Sequence, residues 1–203
     1  EFIDADNITS DSGLNITLNG AEGTHVVTVE NLHGNLFVAG NGLTVNAFAV
    51  NNSGEGGYML AGDDGHDILS VEGDSEDILA GGLGNDTLSG GAGNDWFAFD
   101  SAPGAANIDT IVDFETGFDR IALDSADFGA LMFDGEGNLV GGQFKLGAAT
   151  DSDDRLIYDE NTGALYYDAD GNGVGAAVQF AQLGGGDYAI PEINEADIVQ
   201  LLI

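Results

Sequence analysis

Large apolar residues recur through the middle of the chain at a nearly constant interval. Leu69, Leu79, Leu88 and Phe97 each stand two places after an acid, and those acids are Asp67, Asp77, Asp86 and Asp95, spaced by 10, 9 and 9 residues. Aligned on the acids, four segments read GDDGHDILS (62–70), EGDSEDILA (72–80), GGLGNDTLS (81–89) and GGAGNDWFA (90–98), with Val71 the single insertion. In such a unit six residues turn the chain sharply, and three form a short strand with one inward apolar side chain. Each unit makes half a turn of a solenoid, so segments two apart stack on the same edge. Counting back from Leu69, the same ladder runs through Leu60, Phe48, Phe37, Val27 and Leu18 at gaps of 9, 12, 11, 10 and 9. Ile16–Leu18, Val27–Val29 and Phe37–Ala39 are β-prone and bounded by Gly and Asn turns. None of these earlier segments has the acid, and the one nearest the repeats carries Tyr58 in its place. Residues 1–60 therefore read as solenoid turns held by packing and backbone pairing, or as a separate small β domain, ahead of a roll at 61–100 and a third region at 101–203.

Charge changes the picture. The 203 residues include 36 Asp plus Glu against 3 Lys plus Arg, a formal charge of −33. Recognition of nucleic acid needs clusters of basic side chains that this chain lacks. Its basic residues are Arg120, Lys145 and Arg155, so cations must balance the acids that come earlier. With 43% hydrophobic residues the chain is still able to build a core. The 33 glycines suit places where φ is positive or where carbonyls crowd toward an ion. Calcium, a hard cation, takes about six to eight carboxylate and carbonyl oxygens. Asp67 is expected to face Asp86 across one ion and Asp77 to face Asp95 across another. Loop oxygens of Gly62, Asp64, Gly65, Gly73, Ser75, Gly82, Gly84, Gly91 and Gly93 would complete the shells, although Ser75 departs from the glycine usual at its place. The chain has no cysteine, hence no disulfide or thiolate metal site. It shows neither a signal peptide at its start nor a run long enough to span a membrane.

Beyond Phe97 the periodicity stops. Residues 107–123 have strand-like ends around an acidic turn, and a short helix capped by Ser125 is expected at 125–128. Strands follow at 155–158, 164–167 and 177–180, the first two joined by a hairpin turn at Asn161–Gly163, and together they predict an antiparallel sheet closing the open end of the solenoid. Asp168-Ala169-Asp170-Gly171-Asn172-Gly173 matches the opening of an EF-hand loop, but Gln179 stands where the bidentate Glu belongs; a tight hairpin turn or a weak calcium site both fit. His25, His33 and His66 read as loop residues, and Trp96 as a core or cap-packing residue.

The repeats resemble the RTX nonapeptide GGxGxDxUx. With the runs WFAFDSAPGAANIDTIVDFETGFDRIAL and RLIYDENTGALYYDADGNGVGAAVQFAQL, residues 62–203 are similar to the C-terminal region of serralysin-type proteases and other RTX proteins exported by type I secretion. The resemblance implies an all-β fold: a right-handed parallel β-roll with a C-terminal antiparallel β-sandwich cap and, at 195–203, an uncleaved export signal. It also implies that Asp109 and Asp119 form a further calcium-ligand pair, while solvated turn acids account for them equally well. The family's HExxH motif is missing, so neither zinc nor proteolysis carries over.

The function expected is that of a non-catalytic, secreted calcium-binding module. It would fold where calcium is plentiful, partner the type I secretion machinery and serve a larger cargo upstream. An adhesin-type surface or carbohydrate-binding module is the alternative, and a polysaccharide-acting β-helix enzyme a third.

Overall fold

The computed structural model describes residues 57–202 apart from 63 and, ahead of them, the backbone of strands at 2–6, 14–17, 24–30, 36–39 and 44–50. Those first strands are β1 (Phe2–Asp6), β2 (Leu14–Thr17), β3 (Thr24–Glu30), β4 (Leu36–Ala39) and β5 (Thr44–Val50). The repeats supply β6 (Met59–Ala61), β7 (Ile68–Glu72), β8 (Ile78–Ala80), β9 (Thr87–Ser89) and β10 (Trp96–Phe99). After them come β11 (Asp109–Ile111), β12 (Arg120–Leu123), β13 (Phe144–Leu146), β14 (Leu156–Asp159), β15 (Ala164–Tyr167), β16 (Val178–Leu183) and β17 (Ile198–Gln200). The helical element among the described residues is one 3-10 turn, Glu195–Asp197, closed by a capping box on Asn194.

Successive strands alternate between sheets. One sheet runs β1-β3-β5-β7-β9-β11-β16-β15-β14-β13 and another β17-β12-β10-β8-β6, with β2 and β4 forming a separate pair. Neighbours are parallel throughout the repeats, so each coil lays one strand in each sheet. The inward residues of the repeat form columns. Leu69, Leu88, Ile111 and Leu183 stand in register in one sheet. Leu60, Leu79, Phe97, Ile121 and Ile198 do so in the other. Every one of these side chains is at most 1% exposed. At about 1.5–3 kcal/mol for each fully buried Leu, Ile or Phe, the two columns are the principal apolar stabilisation of the roll. Phe99, Phe128 and Phe180 carry the core onward through edge contacts, with ring centroids 5.0 Å apart.

Several sequence expectations change here. The coil does not stop at Phe97: β11 and β12 add a further coil, and β16 and β17 continue the sheets. Asp109-Thr110-Ile111 and Asp119-Arg120-Ile121 repeat the Asp-x-apolar triplet, and only the loops between them have lengthened. In β5, Ala47 holds the register of Leu69, whereas Phe48 falls beside Ser70; side-chain size had suggested the wrong member of the strand. Val27 does keep the Leu69 register, through Ala47. Leu18 and His33 lie outside the described residues, and His25 lies in β3 and not in a loop.

The segment 125–128 is a single turn and not a helix, and its capping group is Asp124, whose Oδ1 accepts the Ala126 amide at 2.9 Å. Strands β14, β15 and β16 are antiparallel as expected, but β16 pairs in parallel with β11, so this sheet is continuous with the roll. The link from β15 to β16 is a wide loop pinned by Asp170, whose Oδ2 accepts the Gly175 amide at 3.0 Å, and not a tight hairpin turn. Trp96 is 38% exposed, because it precedes the inward Phe97 and must point outward from the strand.

Candidate metal centre

The acid of each repeat lies where the loop enters the strand, so strand register stacks the acids along two edges. Asp67, Asp86 and Asp109 form one edge, and Asp77, Asp95 and Asp119 the other. All six are at most 3% exposed. Asp77, Asp86, Asp95, Asp109 and Asp119 each hold the coil before them. Asp86 Oδ1 accepts the Asp67 amide at 2.7 Å, and Asp109 Oδ1 accepts the Asp86 amide at 3.1 Å. On the other edge Asp77 accepts the Tyr58 amide at 2.6 Å, Asp95 the Asp77 amide at 2.9 Å, and Asp119 the Asp95 amide at 3.0 Å. Tyr58 thus occupies the first rung, donating its amide without supplying a carboxylate.

The second carboxylate oxygens differ. Those of Asp86 and Asp95 are buried without a hydrogen-bond partner among the described residues. They lie against Gly81 and Gly90, where a Cβ would collide with them. Asp77 is better provided for, because Ser75 Oγ donates to both of its oxygens at 3.1 and 3.0 Å. The serine that departs from the glycine pattern therefore satisfies the acid of its own repeat.

Loop carbonyls crowd the same edges. The Gly65 carbonyl abuts Gly84 and the Ser75 carbonyl abuts Gly93, at φ of +149° and +151°, and any Cβ there would overlap the oxygen. Gly91 lies under the carbonyls of Val71 and Gly73. At the other expected positions the Gly82 carbonyl accepts Ser101 Oγ at 2.7 Å, Gly62 donates its amide to the Ala80 carbonyl, and Asp64 is exposed and bridges Leu83. Among the described residues no three acids or histidines cluster closely enough to hold a metal by side chains alone. Backbone oxygens must supply the remainder, as the chemistry of a hard cation allows.

Asp109 and Asp119 do not face each other. Each adds a rung to a different edge, and their burial excludes the role of solvated turn acids. Asp113 was missed in the sequence; it accepts from Ser89 Oγ at 2.7 Å and from the Gly90 and Gly91 amides at 3.1 and 2.9 Å. Its position four residues after Asp109 has no counterpart in a nonapeptide, which is why the repeat pattern does not reveal it. In the EF-hand-like segment, Asp168 accepts the Asp170 amide at 3.1 Å and Asp170 that of Gly175, so both carboxylates organise the loop. His66 Nδ1 meets the Asn85 backbone of a neighbouring loop, close enough for its charge to act on Asp86.

Packing carboxylates this tightly has an electrostatic consequence. Burial pushes Asp95 up to about 7, and the charges of Asp119, Asp77 and Asp113 add to the effect. Burial, and then the neighbouring Asp86 charge, takes Asp109 to about 8, and burial takes Asp119 to about 6. Asp77 and Asp86 move upward for the same primary reason. The edges favour a proton or a cation over bare charge. A divalent ion suits them: anionic oxygens without a donor, carbonyls turned the same way, and glycine wherever a side chain would fill the space.

The family model for the RTX calcium-binding nonapeptide repeat, in four copies, matches residues 71–101. This segment is an RTX calcium-binding region. No curated protein sequence matches the chain. The RTX repeat is a calcium-binding unit and not a catalytic one, and the match covers the last three of the four segments of the sequence pattern in full. Among the described residues no helix is long and apolar enough to cross a membrane.

Proposed function

We propose that this chain is a calcium-triggered folding module of a larger exported protein, without catalytic activity of its own. Asp67, Asp77, Asp86, Asp95, Asp109 and Asp119 are the carboxylate ligands in this reading, joined by loop carbonyls including those of Gly65, Gly73 and Ser75. The β cap that closes the roll lies within residues 101–203, beyond the coil of β11 and β12, and the module folds outside the cell after type I secretion. The observation that carries the proposal is the pair of buried, partnerless oxygens of Asp86 and Asp95 against Gly81 and Gly90. An anionic oxygen left this way costs several kcal/mol unless it is protonated or coordinated. When bound, calcium supplies positive charge that joins successive loops, so its binding free energy becomes folding free energy.

Extracellular calcium modules bind with dissociation constants of about 10⁻⁴–10⁻³ M, which would keep the chain open inside a cell and closed outside. The resemblance of residues 62–203 to the C-terminal regions of type I secreted RTX proteins supports the export role. Circular dichroism of the chain at about pH 8, with excess calcium and with chelator, tests the folding step: a chelator-reversible gain of β structure is expected. Identical spectra, with β structure present in both, would defeat the proposal.

A further inference from the structure

Three of the four repeats carry glycine at the fourth place, Gly65, Gly84 and Gly93, and the remaining one carries Ser75. The exchange alters the carboxylate two places on. Asp86 and Asp95, each two places after such a glycine, keep a second oxygen buried with no donor among the described residues. Ser75 is 7% exposed, and its hydroxyl reaches Asp77 Oδ1 at 3.1 Å and Oδ2 at 3.0 Å. A hydroxyl has one hydrogen, so a single donor is shared between the two oxygens. With the Tyr58 amide on Oδ1 at 2.6 Å, the protein itself provides for the whole Asp77 carboxylate. Both donors work against the burial that raises its pKa.

The exchange falls at a particular point of the stack. Asp86 has an acid on either side of it along its edge, Asp67 and Asp109, and Asp95 has Asp77 and Asp119. Asp77 has Asp95 on one side and Tyr58 on the other, and Tyr58 brings no carboxylate to share an ion with it. A buried anionic oxygen must be met by a proton, a cation or a hydrogen-bond donor. At Asp86 and Asp95 the coils leave that role to a cation, and at Asp77 they fill it themselves. A cation that binds Asp77 must therefore break a charge-assisted hydrogen bond, whereas at Asp86 and Asp95 it displaces no protein donor from the second oxygen.

We propose that Ser75 sets the order in which the calcium sites fill: its hydroxyl stands in for the ion at Asp77, so this rung binds calcium last. The proposal rests on the reading that calcium binds along the two edges. The coils that need an ion then meet β6 through a joint furnished by the chain's own donors.

Two-dimensional NMR of the full chain at neutral pH, titrated with calcium chloride, tests the order of filling. The Tyr58 amide reports the Asp77 carboxylate, and the Asp67 and Asp86 amides report the carboxylates of Asp86 and Asp109 on the other edge. The Tyr58 midpoint is expected at about tenfold more calcium than the other two, from the charge-assisted bond that the ion must break. Ser75→Ala removes the hydroxyl and keeps the Cβ, and should bring Tyr58 into step with Asp67 and Asp86. A Tyr58 midpoint at or below theirs in the unsubstituted chain would overturn the proposal and leave the calcium reading standing. A Tyr58 midpoint that stays or rises in a folded Ser75→Ala chain would also overturn it, a rise being the mark of a hydroxyl that ligates the ion. Amides indifferent to calcium would overturn both readings. If the variant does not fold, the order of midpoints in the unsubstituted chain decides alone.

Discussion

The calcium-free chain should hold its roll in mild acid and lose it as the pH rises toward about 8, and calcium should remove this dependence. Folding raises the pKa values of Asp119, Asp95 and Asp109 from 3.8 to about 6, 7 and 8. Groups raised in the folded state bind their protons more tightly there than in the unfolded chain. Their stabilisation is therefore complete below pH 3.8 and is lost as pH climbs through about 6, 7 and 8 in turn. Taking a carboxyl from 3.8 to about 7 corresponds to roughly 4 kcal/mol at full strength. Water near the loop edge reduces that to about 2 kcal/mol for each group. Three such groups contribute about 6 kcal/mol, within the range of about 5–15 kcal/mol that stabilises a whole domain. Far-ultraviolet circular dichroism, followed from about pH 4 to 9 in chelator and again in calcium, reads this directly. Asp109→Asn separates buried charge from overall repulsion: the amide keeps an oxygen for the Asp86 N–H and removes the titrating charge. It should preserve calcium-free β structure at about pH 8, whereas Asp187→Asn, at an exposed position, should not. A flat calcium-free profile, or equal effects of the two substitutions, would refute the reasoning.

Further outcomes follow from single positions. Gly84→Ala places a Cβ against the Gly65 carbonyl at φ +149°, and should cost more than about 2 kcal/mol and weaken the calcium response; Gly117→Ala, at φ +82° in open space, should cost only about 1 kcal/mol. Chelator-referenced calorimetry of both variants in calcium checks the contrast. Asp86→Ala removes a partnerless oxygen and the acceptor of the Asp67 amide, and should shift the calcium midpoint upward at least tenfold, while Asp187→Ala leaves it unchanged in a calcium titration. Phe97→Ala opens the centre of the longer apolar column and should cost about 3–5 kcal/mol in denaturant unfolding with calcium present.

The repeated unit was readable because its chemistry and its period coincide. An acid and an apolar residue two places later define edge and core together, and Asp67–Leu69 through Asp95–Phe97 occupy those positions in the structure. The same triplet at Asp109–Ile111 and Asp119–Ile121 escaped because longer loops separate the copies, and a search by period is blind to changes in loop length. Asp113 belongs to no triplet; its role arises from spatial approach to Ser89, Gly90 and Gly91, which tertiary structure alone creates. Phe48 shows the opposite limit, where volume outweighed register and small Ala47 proved to be the Leu69 counterpart. The continuity of β16 with β11 was likewise hidden, because nothing local in either strand encodes a partner 72 residues away, as between Asp109 and Ala181.

The bonds from edge amides to the aspartate carboxylates all point one way. Tyr58, Asp67, Asp77, Asp86 and Asp95 donate amides to acids that come later in the chain. In a stack wired so, Asp109 and Asp119 supply the last carboxylate acceptors of the two edges, and Asp77, Asp86 and Asp95 each serve the coil before them. Damage inherits the same direction. Losing the Asp119 carboxylate orphans the amide of Asp95, whereas Tyr58, which supplies no carboxylate, holds no amide of this series in place.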